Sequence, residues 1–324
     1  MNIQQLRFIH AVANNGLSIS NAATELHTSQ PGISRQIKAL EEELGVEIFE
    51  RGGKQLTRIT PVGAKILDRS THILDEIAAI RSQAKEAKNP EKGVLSIATT
   101  HSQARYVLPD MIARFKNAYP EVDINLHQGS SGQMLEMLES GQVDLCIVSE
   151  DIDEMDNLVM MPCYQWARGL VVPEGHALHT NPPGSLHDVA KYPLLTFMSG
   201  FTGRSALDRA FSQLGLQPRV VFSATDADVI KTYVALGLGV GIISRAAFDE
   251  KSDSGLVLLD ASELFERGIT RIGMRRGFHL RKFHYSFIEI FAPHLKEPIV
   301  RQSLASRHAA QRKWLFLDEQ LPLY

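Results

Sequence analysis

The chain has 324 residues, of which 44% are hydrophobic and 22% charged, enough for two globular domains, or three if one is bilobed. A net charge of −3 leaves no global basic surplus, so any contact with nucleic acid must come from a local basic face. The opening MNIQQLRFIHAVANNG lacks the apolar stretch of a signal peptide, and no segment is long enough to span a bilayer; this predicts a cytoplasmic protein with no membrane partner. Cys146 (in VDLCIV) and Cys163 (in MMPCYQW) sit among apolar residues as packed thiols do, with a disulfide or a reactive thiol as the alternative.

Helical periodicity runs from residue 1 to about 88, with Leu6, Ile9, Val12 and Ala13 on one apolar stripe and Ile33, Ile37 and Leu40 on another. SISNAATELHTSQPGISRQIKALEEEL (18–44) reads as two helices joined at His27-Thr28-Ser29. Ala22 and Ala23 permit a close, steep crossing, Ser29 can cap the second helix, and Pro31 is tolerated in its first turn. With Ser29 at its leading end, that helix turns Gln30, Ser34, Arg35 and Lys38 outward; Gln and Arg suit base edges, Ser and Lys suit phosphates. FERGGKQLTRIT then places a Gly-Gly turn between two short segments and displays Arg51, Lys54 and Arg58, as a hairpin wing laid along phosphates would. Glu41-Glu42-Glu43 must point away from DNA. A solvated helical hairpin and loop without a partner is the alternative.

From Thr60 to Ala87 a 4-3 alternation of Ile66, Ser70, Ile73, Ile77, Ile80, Ala84 and Ala87 forms a seam suited to pairing helices; packing within its own domain is the other reading. Lys88-Asn89-Pro90-Glu91-Lys92-Gly93 stops that helix. Strands then alternate with helices. Strands are expected at 94–99, 122–129, 143–149, 169–173, 193–197, 219–224, 240–244 and 272–276, with helices to about 119, to 140, over 202–214, over 226–236 and near 280–291. The alternation implies mainly parallel sheets covered on both faces.

ATTHSQAR (98–105) runs from a strand into a helix start and is dense in hydroxyls and amides. A helix N-terminus attracts anions, so Thr99, Thr100, Ser102 and Gln103 are candidate donors, with plain capping by Thr100 or Ser102 as the alternative. Gly200-Phe201-Thr202-Gly203-Arg204-Ser205 and the strand end Val148-Ser149 have the same placement, beyond the carboxyl ends of strands. Asp226 and Asp228 read as acidic first-turn residues of a helix, and LGLGVGI as a tight helix-to-strand turn rather than a phosphate loop. The histidines show no metal-ligand spacing. RQSLASRHAAQRKWLFLDEQLPLY (301–324) reads as a helix ending in an apolar strip that could dock on a neighbour.

AATELHTSQPGISRQIKALEEELGVEIFER followed by LTRITPVG resembles the N-terminal signature of LysR-type transcriptional regulators. The likeness covers the whole chain: GVLSIATTHSQARYVLP, LVMMPCYQW, GFTGRS, ATDADVIKTYVALGLGVG and FAPHL are similar to the CysB/Cbl branch, which governs sulfur assimilation and cysteine synthesis. The resemblance implies an α/β chain with a winged helix-turn-helix at 1–59, a dimerising linker helix at 60–88 and a bilobed, periplasmic-binding-protein-like effector domain at 89–324. Its lobes would be about 93–165 with 268–300, and 166–267. It also implies a homotetramer built as a dimer of dimers, double-stranded operator DNA as partner with RNA polymerase as a further one, and no cofactor. The implied effector is a small anion (O-acetylserine, N-acetylserine, sulfate or thiosulfate) held by Thr100, Ser102, Gln103, Ser149 and Thr202 with Trp166 close by. Serine stands at 102 and 149 where that branch mostly has threonine, which puts the ligand's shape in question. A solute-binding protein would have no use for residues 1–88, and no convergent acid, base and nucleophile set for an enzyme can be assembled.

Overall fold

The computed structural model describes residues 1–53, 55–149, 155, 157–306 and 321–324, in two compact units: 1–87 with 277–279, and 88–276 with 280–324. The first unit runs α1 (Ile3–Asn14), α2 (Ile19–Glu25), α3 (Gln30–Leu44), an antiparallel hairpin of β1 (Phe49–Gly52) and β2 (Gln55–Ile59), and α4 (Pro61–Lys88). The apolar stripes of α1 and α3 form its core: Leu6, Ile9, Val12, Ile33, Ile37 and Leu40 are buried with Ala22, Ala23, Ile48, Phe49 and Leu56. Glu41, on the inner side of α3, is buried and accepts the N–H groups of Ile48 (2.9 Å) and Phe49 (3.1 Å), pinning the start of the wing to the helix. Thr60 starts α4 by accepting the Gly63 N–H (2.8 Å) while donating to the Glu47 carbonyl (2.7 Å).

The α4 seam divides in two. Leu67 is buried in the core of this unit with Ile66 and Leu74 packed against it, and the Ser70 hydroxyl is buried against the Leu67 carbonyl (2.9 Å) and His10 (2.8 Å). Ile73 and Ile80 further along are exposed.

The second unit begins with β3 (Gly93–Thr99), a π-helical turn (Gln103–Val107) running into α5 (Leu108–Ala118), β4 (Val122–Gln128), α6 (Ser131–Glu139), β5 (Leu145–Val148) and β6 (Leu158–Trp166). Next come β7 (Arg168–Pro173), α7 (Ala177–Thr180), α8 (Leu186–Val189), β8 (Leu194–Phe197), α9 (Arg204–Gln213), β9 (Val220–Ala224), α10 (Ala227–Ala235), β10 (Val240–Ser244) and β11 (Leu256–Asp260). The chain closes with β12 (Gly268–Arg275), α11 (Lys282–Phe291) and α12 (Glu297–Ala305). Two sheets result, ordered β4-β3-β5-β12-β6 and β11-β7-β10-β8-β9, each the centre of a lobe.

Both sheets are mixed rather than mainly parallel. β3 is parallel to β4 and β5, and β8 to β9 and β10, but β12 runs antiparallel to β5 and β6, and β7 to β10 and β11. The reason is the double crossing between lobes. β6 carries the chain out of the first lobe and β12 brings it back; β7 enters the second lobe and β11 leaves it. Cys146 and Cys163 are buried and unpaired, and loss of water pushes both thiols up, Cys146 to about 12. No helix among the described residues is long and apolar enough to cross a membrane.

The Glu41 contacts generate a stability test. Glu41→Ala strands two buried backbone N–H groups, each costing about 1–3 kcal/mol when unpaired. Urea unfolding of the full chain should therefore show an earlier transition for this variant, and an unchanged midpoint would refute the pinning role.

Candidate functional site

Two surfaces carry the candidate residues. In the first unit, Ser29 caps α3, its Oγ accepting the Gly32 N–H (3.3 Å), so this hydroxyl is committed within the protein. Gln30, Arg35 and Lys38 are exposed and Ser34 half-buried on the outer face of α3. Lys38 lies 3.5 Å from Glu42, an exposed i,i+4 pair. The wing differs from a simple row of free cations. Arg51 is tied to the buried Glu41 (3.0 Å) and Arg58 to Glu50 (2.6 Å), while Lys54 lies outside the described residues. Glu41 thus turns inward, where it organises the hairpin.

In the second unit, Ser102, Gln103, Ser149, Trp166 and Thr202 line one small cavity. Each comes from just beyond, or at, the carboxyl end of a strand: Ser102 and Gln103 after β3, Ser149 after β5, Trp166 at the end of β6, Thr202 after β8. The two lobes therefore meet there with their loop ends, as ligand sites of open α/β sheets do. Thr100 is not on the cavity wall. Its Oγ1 accepts the Gln103 N–H (3.4 Å), the capping alternative weighed from sequence. The Gln103 side chain is committed as well. Its amide donates to Ser149 Oγ (3.3 Å) and Thr270 Oγ1 (3.4 Å), and its carbonyl accepts the Tyr164 hydroxyl (2.6 Å). Ser149 and Thr270 bond each other at 2.9 Å. Burial pushes the Tyr164 phenol up, so it remains a neutral donor.

Three other groups are left over. Ser102 Oγ, Trp166 Nε1 and Thr202 Oγ1 are buried and have no hydrogen-bond partner among the described residues. Each such donor costs about 1–3 kcal/mol. Thr202 is a β-branched residue at φ 37°, a conformation that is strained for its side chain and recurrent at ligand sites. Trp166 is held flat by its surroundings. A Cβ at Gly268 would collide with the indole, and one at Gly203 (φ 71°) would come within 2.9 Å of it, so both glycines make room for the ring. The Arg168 guanidinium stacks on the indole 4.8 Å from its centroid and donates to the carbonyls of Gly203 (2.8 Å) and Glu266 (2.9 Å). Gly203 thus makes room for both the tryptophan and the arginine.

The π-helical turn after Ser102 also holds the two lobes together. Asp228 on α10 takes Arg105 (2.9 Å) and His101 (3.0 Å) and accepts the Tyr106 hydroxyl. Behind it the buried Lys231 ammonium donates to Tyr106 Oη (2.9 Å), the Ala247 carbonyl (2.8 Å) and Asp253 (2.8 Å). Burial pushes the Asp228 carboxyl up, but the Tyr106 and His101 hydrogen bonds and the charges of Lys231 and Arg105 outweigh it and leave it below the usual range. His101 lies beside Asp226 and Asp228, a grouping that sequence spacing does not show. Asp226 caps α10 through the Val229 N–H (2.9 Å), and the Asp228 charge is already met by protein cations.

Tyr164, Thr270 and the Asp228 clasp were not singled out from sequence. Tyr164 and Thr270 lie on β6 and β12, strands that pair with each other although 102 or more residues separate partners such as Gly268 and Trp166.

The comparisons with known proteins agree with this architecture. Residues 3–64 match the bacterial regulatory helix-turn-helix model of the LysR family, and residues 88–296 match the LysR substrate-binding domain. The chain is 46% identical over 98% of both chains to the transcriptional regulator CysB of Haemophilus influenzae. It is 45% identical to SsuR of Burkholderia cenocepacia, covering 92% of this chain and 96% of that one. The solved cofactor-binding domain of the Cbl regulator superposes with a TM-score of 0.63 at 41% identity, covering 66% of this chain and 95% of that one. A full-length OxyR from Pseudomonas aeruginosa shares the fold, with a TM-score of 0.67 at 24% identity, covering 91% of this chain and 94% of that one. The family matches at both ends of the chain, together with these nearly full-length relatives, place it in the LysR family: it is a ligand-responsive, DNA-binding transcriptional regulator and not an enzyme.

Proposed function

We propose that this regulator senses a small anion of sulfur metabolism, an acylserine (O- or N-acetylserine), sulfate or thiosulfate, and controls genes of sulfur assimilation and cysteine synthesis. The observation that carries the ligand class is that Ser102, Trp166 and Thr202, whose Oγ, Nε1 and Oγ1 are buried without a partner among the described residues, all line one cavity. An indole N–H can only donate, so its ligand must accept. The oxygens of a sulfate or carboxylate accept from several donors at once, and hydrogen bonds to a charged group are worth about 1.5–3 kcal/mol. The likeness to CysB, SsuR and Cbl regulators supports the sulfur assignment. Gln103 and Ser149 act here as the scaffold that keeps Tyr164 and the Ser102 turn in place, and Thr100 caps that turn.

On DNA, the chain acts as a dimer of dimers, its linker helices meeting through the exposed Ile73 and Ile80. Arg35 and Gln30 read base edges, with Ser34, Lys38 and Lys54 on phosphates. Arg51 and Arg58 shape the wing and add secondary charge. Effector binding between the lobes alters the spacing of the DNA-binding heads within the oligomer, and with it DNA bend and contact with RNA polymerase.

Two outcomes test this reading. Ser102→Ala and Thr202→Val each remove one donor to the anion, which should weaken sulfate or N-acetylserine binding about 10- to 100-fold. Operator affinity without effector should be spared. Calorimetry on the full chain decides the point, and wild-type affinity in both variants would move the ligand elsewhere.

On DNA, Lys54→Ala should lower the log–log salt slope of operator binding by about 0.9 per engaged subunit. Arg35→Ala should instead relax sequence preference. Unchanged slope and unchanged preference together would remove this face from the interface.

The clasp supplies a pH test. Because the Asp228 carboxyl is lowered from 3.8, its stabilising contribution is complete above that value and fades as pH falls through the native one. Asp228→Asn should therefore melt earlier than wild type at neutral pH and lose less of its melting temperature on acidification to about pH 3. Parallel melting curves at both pH values would show that the clasp contributes nothing.

A further inference from the structure

Residues 321–324 lie against the edge strand of the first lobe. The Gln165 N–H donates to the Pro322 carbonyl (2.8 Å) and the Gln165 carbonyl accepts the Tyr324 N–H (2.8 Å), a parallel bridge between Gln165 and Leu323. The bridge extends the β4-β3-β5-β12-β6 sheet by one short strand and covers backbone groups that an edge would otherwise present to solvent. Its register turns the Leu323 side chain out to solvent and lays the Tyr324 ring on Tyr164, with centroids 5.1 Å apart. Tyr324 thereby joins the wall of the cavity that holds Ser102, Trp166 and Thr202. Tyr164, the ring it covers, is the residue that donates to Gln103, so the tail touches the hydrogen-bonded scaffold of the cavity directly.

We infer that residues 321–324 are a built-in part of the effector site, with Tyr324 as an effector-affinity residue whose ring closes the cavity over a bound anion. The inference rests on the reading of this cavity as the effector site. Three things carry it. The segment is held by two backbone hydrogen bonds in a defined register. Its ring packs on Tyr164, which belongs to the buried scaffold. The residues that carry the unpartnered donors line the same cavity, where excluding water strengthens any hydrogen bond they make. Occupancy and tail docking then reinforce each other: a bound anion is better shielded when the strand is docked, and the strand is better held when the cavity is filled. Tyr164 and Tyr324 give the cavity an aromatic wall beside its donors, which suits a ligand with an anionic group and a short carbon portion.

The test uses the full chain with two probes, inorganic sulfate and N-acetylserine. Tyr324→Ala removes the ring but keeps the backbone bridge; Tyr324→Phe keeps the ring. Calorimetric affinity for both probes should fall about tenfold or more in Tyr324→Ala and stay near wild type in Tyr324→Phe. A ligand-free readout accompanies it. In a Trp314→Phe background Trp166 is the sole tryptophan, and acrylamide quenching of its fluorescence should rise at least about twofold in Tyr324→Ala. Wild-type affinity and wild-type quenching in Tyr324→Ala, while Thr202→Val still loses sulfate, overturn the tail's role and leave the effector site intact. Wild-type sulfate affinity in both Thr202→Val and Ser102→Ala overturns both.

Discussion

A buried hydroxyl or indole N–H without a partner costs about 1–3 kcal/mol, and the second unit of this chain carries three of them on residues that line one cavity. Such a cluster persists only if the surrounding structure leaves its members no alternative. The surroundings do so in specific ways. Trp166 cannot rotate away because Gly268 and Gly203 lie against it and the Arg168 guanidinium stacks on it. Thr202 is held at a positive φ by the loop after β8. Ser102 sits at the start of a π-helical turn whose next residue, Gln103, is fixed by Ser149, Thr270 and Tyr164. Neutral donors locked in this manner suit an anion and disfavour a cation, with no formal charge pointed into the cavity by any of the three.

The same turn has a second attachment. Ser102 and Val107 line the cavity, while His101, Arg105 and Tyr106 of the same segment reach Asp228 in the other lobe. A displacement of the turn by a ligand would strain these contacts, and a displacement of α10 would strain the cavity wall. The π-helical turn interrupts the regular 3.6-residue period between β3 and α5, and such turns are frequent at functional sites.

Much of the fold was legible because local pattern and tertiary role coincide. The stripe of α1 and α3, the Ser29 cap, Pro31 in the first turn, and strands such as β3 and β10 follow from periodicity and capping chemistry. The strand β6 was not read from its pattern. LVMMPCYQW shows no alternation and contains Pro162, which argues against a central strand; it is an edge strand, where a missing N–H is tolerated. The predominance of parallel pairing failed for a related reason: crossings between lobes are a property of connectivity over a hundred residues, invisible to any local window. Of the cavity residues, those in hydroxyl-rich segments after strands were visible. Tyr164 on the wall and Thr270 behind Gln103 were not, because their role comes from a pairing of β6 with β12 that places them around Gln103. Thr100 shows the converse, a residue with the right chemistry and position whose hydroxyl is spent on its own turn.

The first unit makes the same point about charge. Counting cations along FERGGKQLTRIT treats Arg51, Lys54 and Arg58 as equivalent, and the acids before them as a nuisance to be turned away. Glu41, itself buried, instead gathers two backbone N–H groups and the Arg51 guanidinium, so one arginine of the wing is a structural tie. Arg58 is paired with Glu50 on the exposed face, an arrangement of little energetic worth that a phosphate can displace. The number of basic residues on a wing therefore overstates its counterion release on DNA. What decides the matter is which of them must break a shielded bond to reach a phosphate, and by that criterion Arg51, tied to the buried Glu41, costs more to move than Arg58, paired on the exposed face.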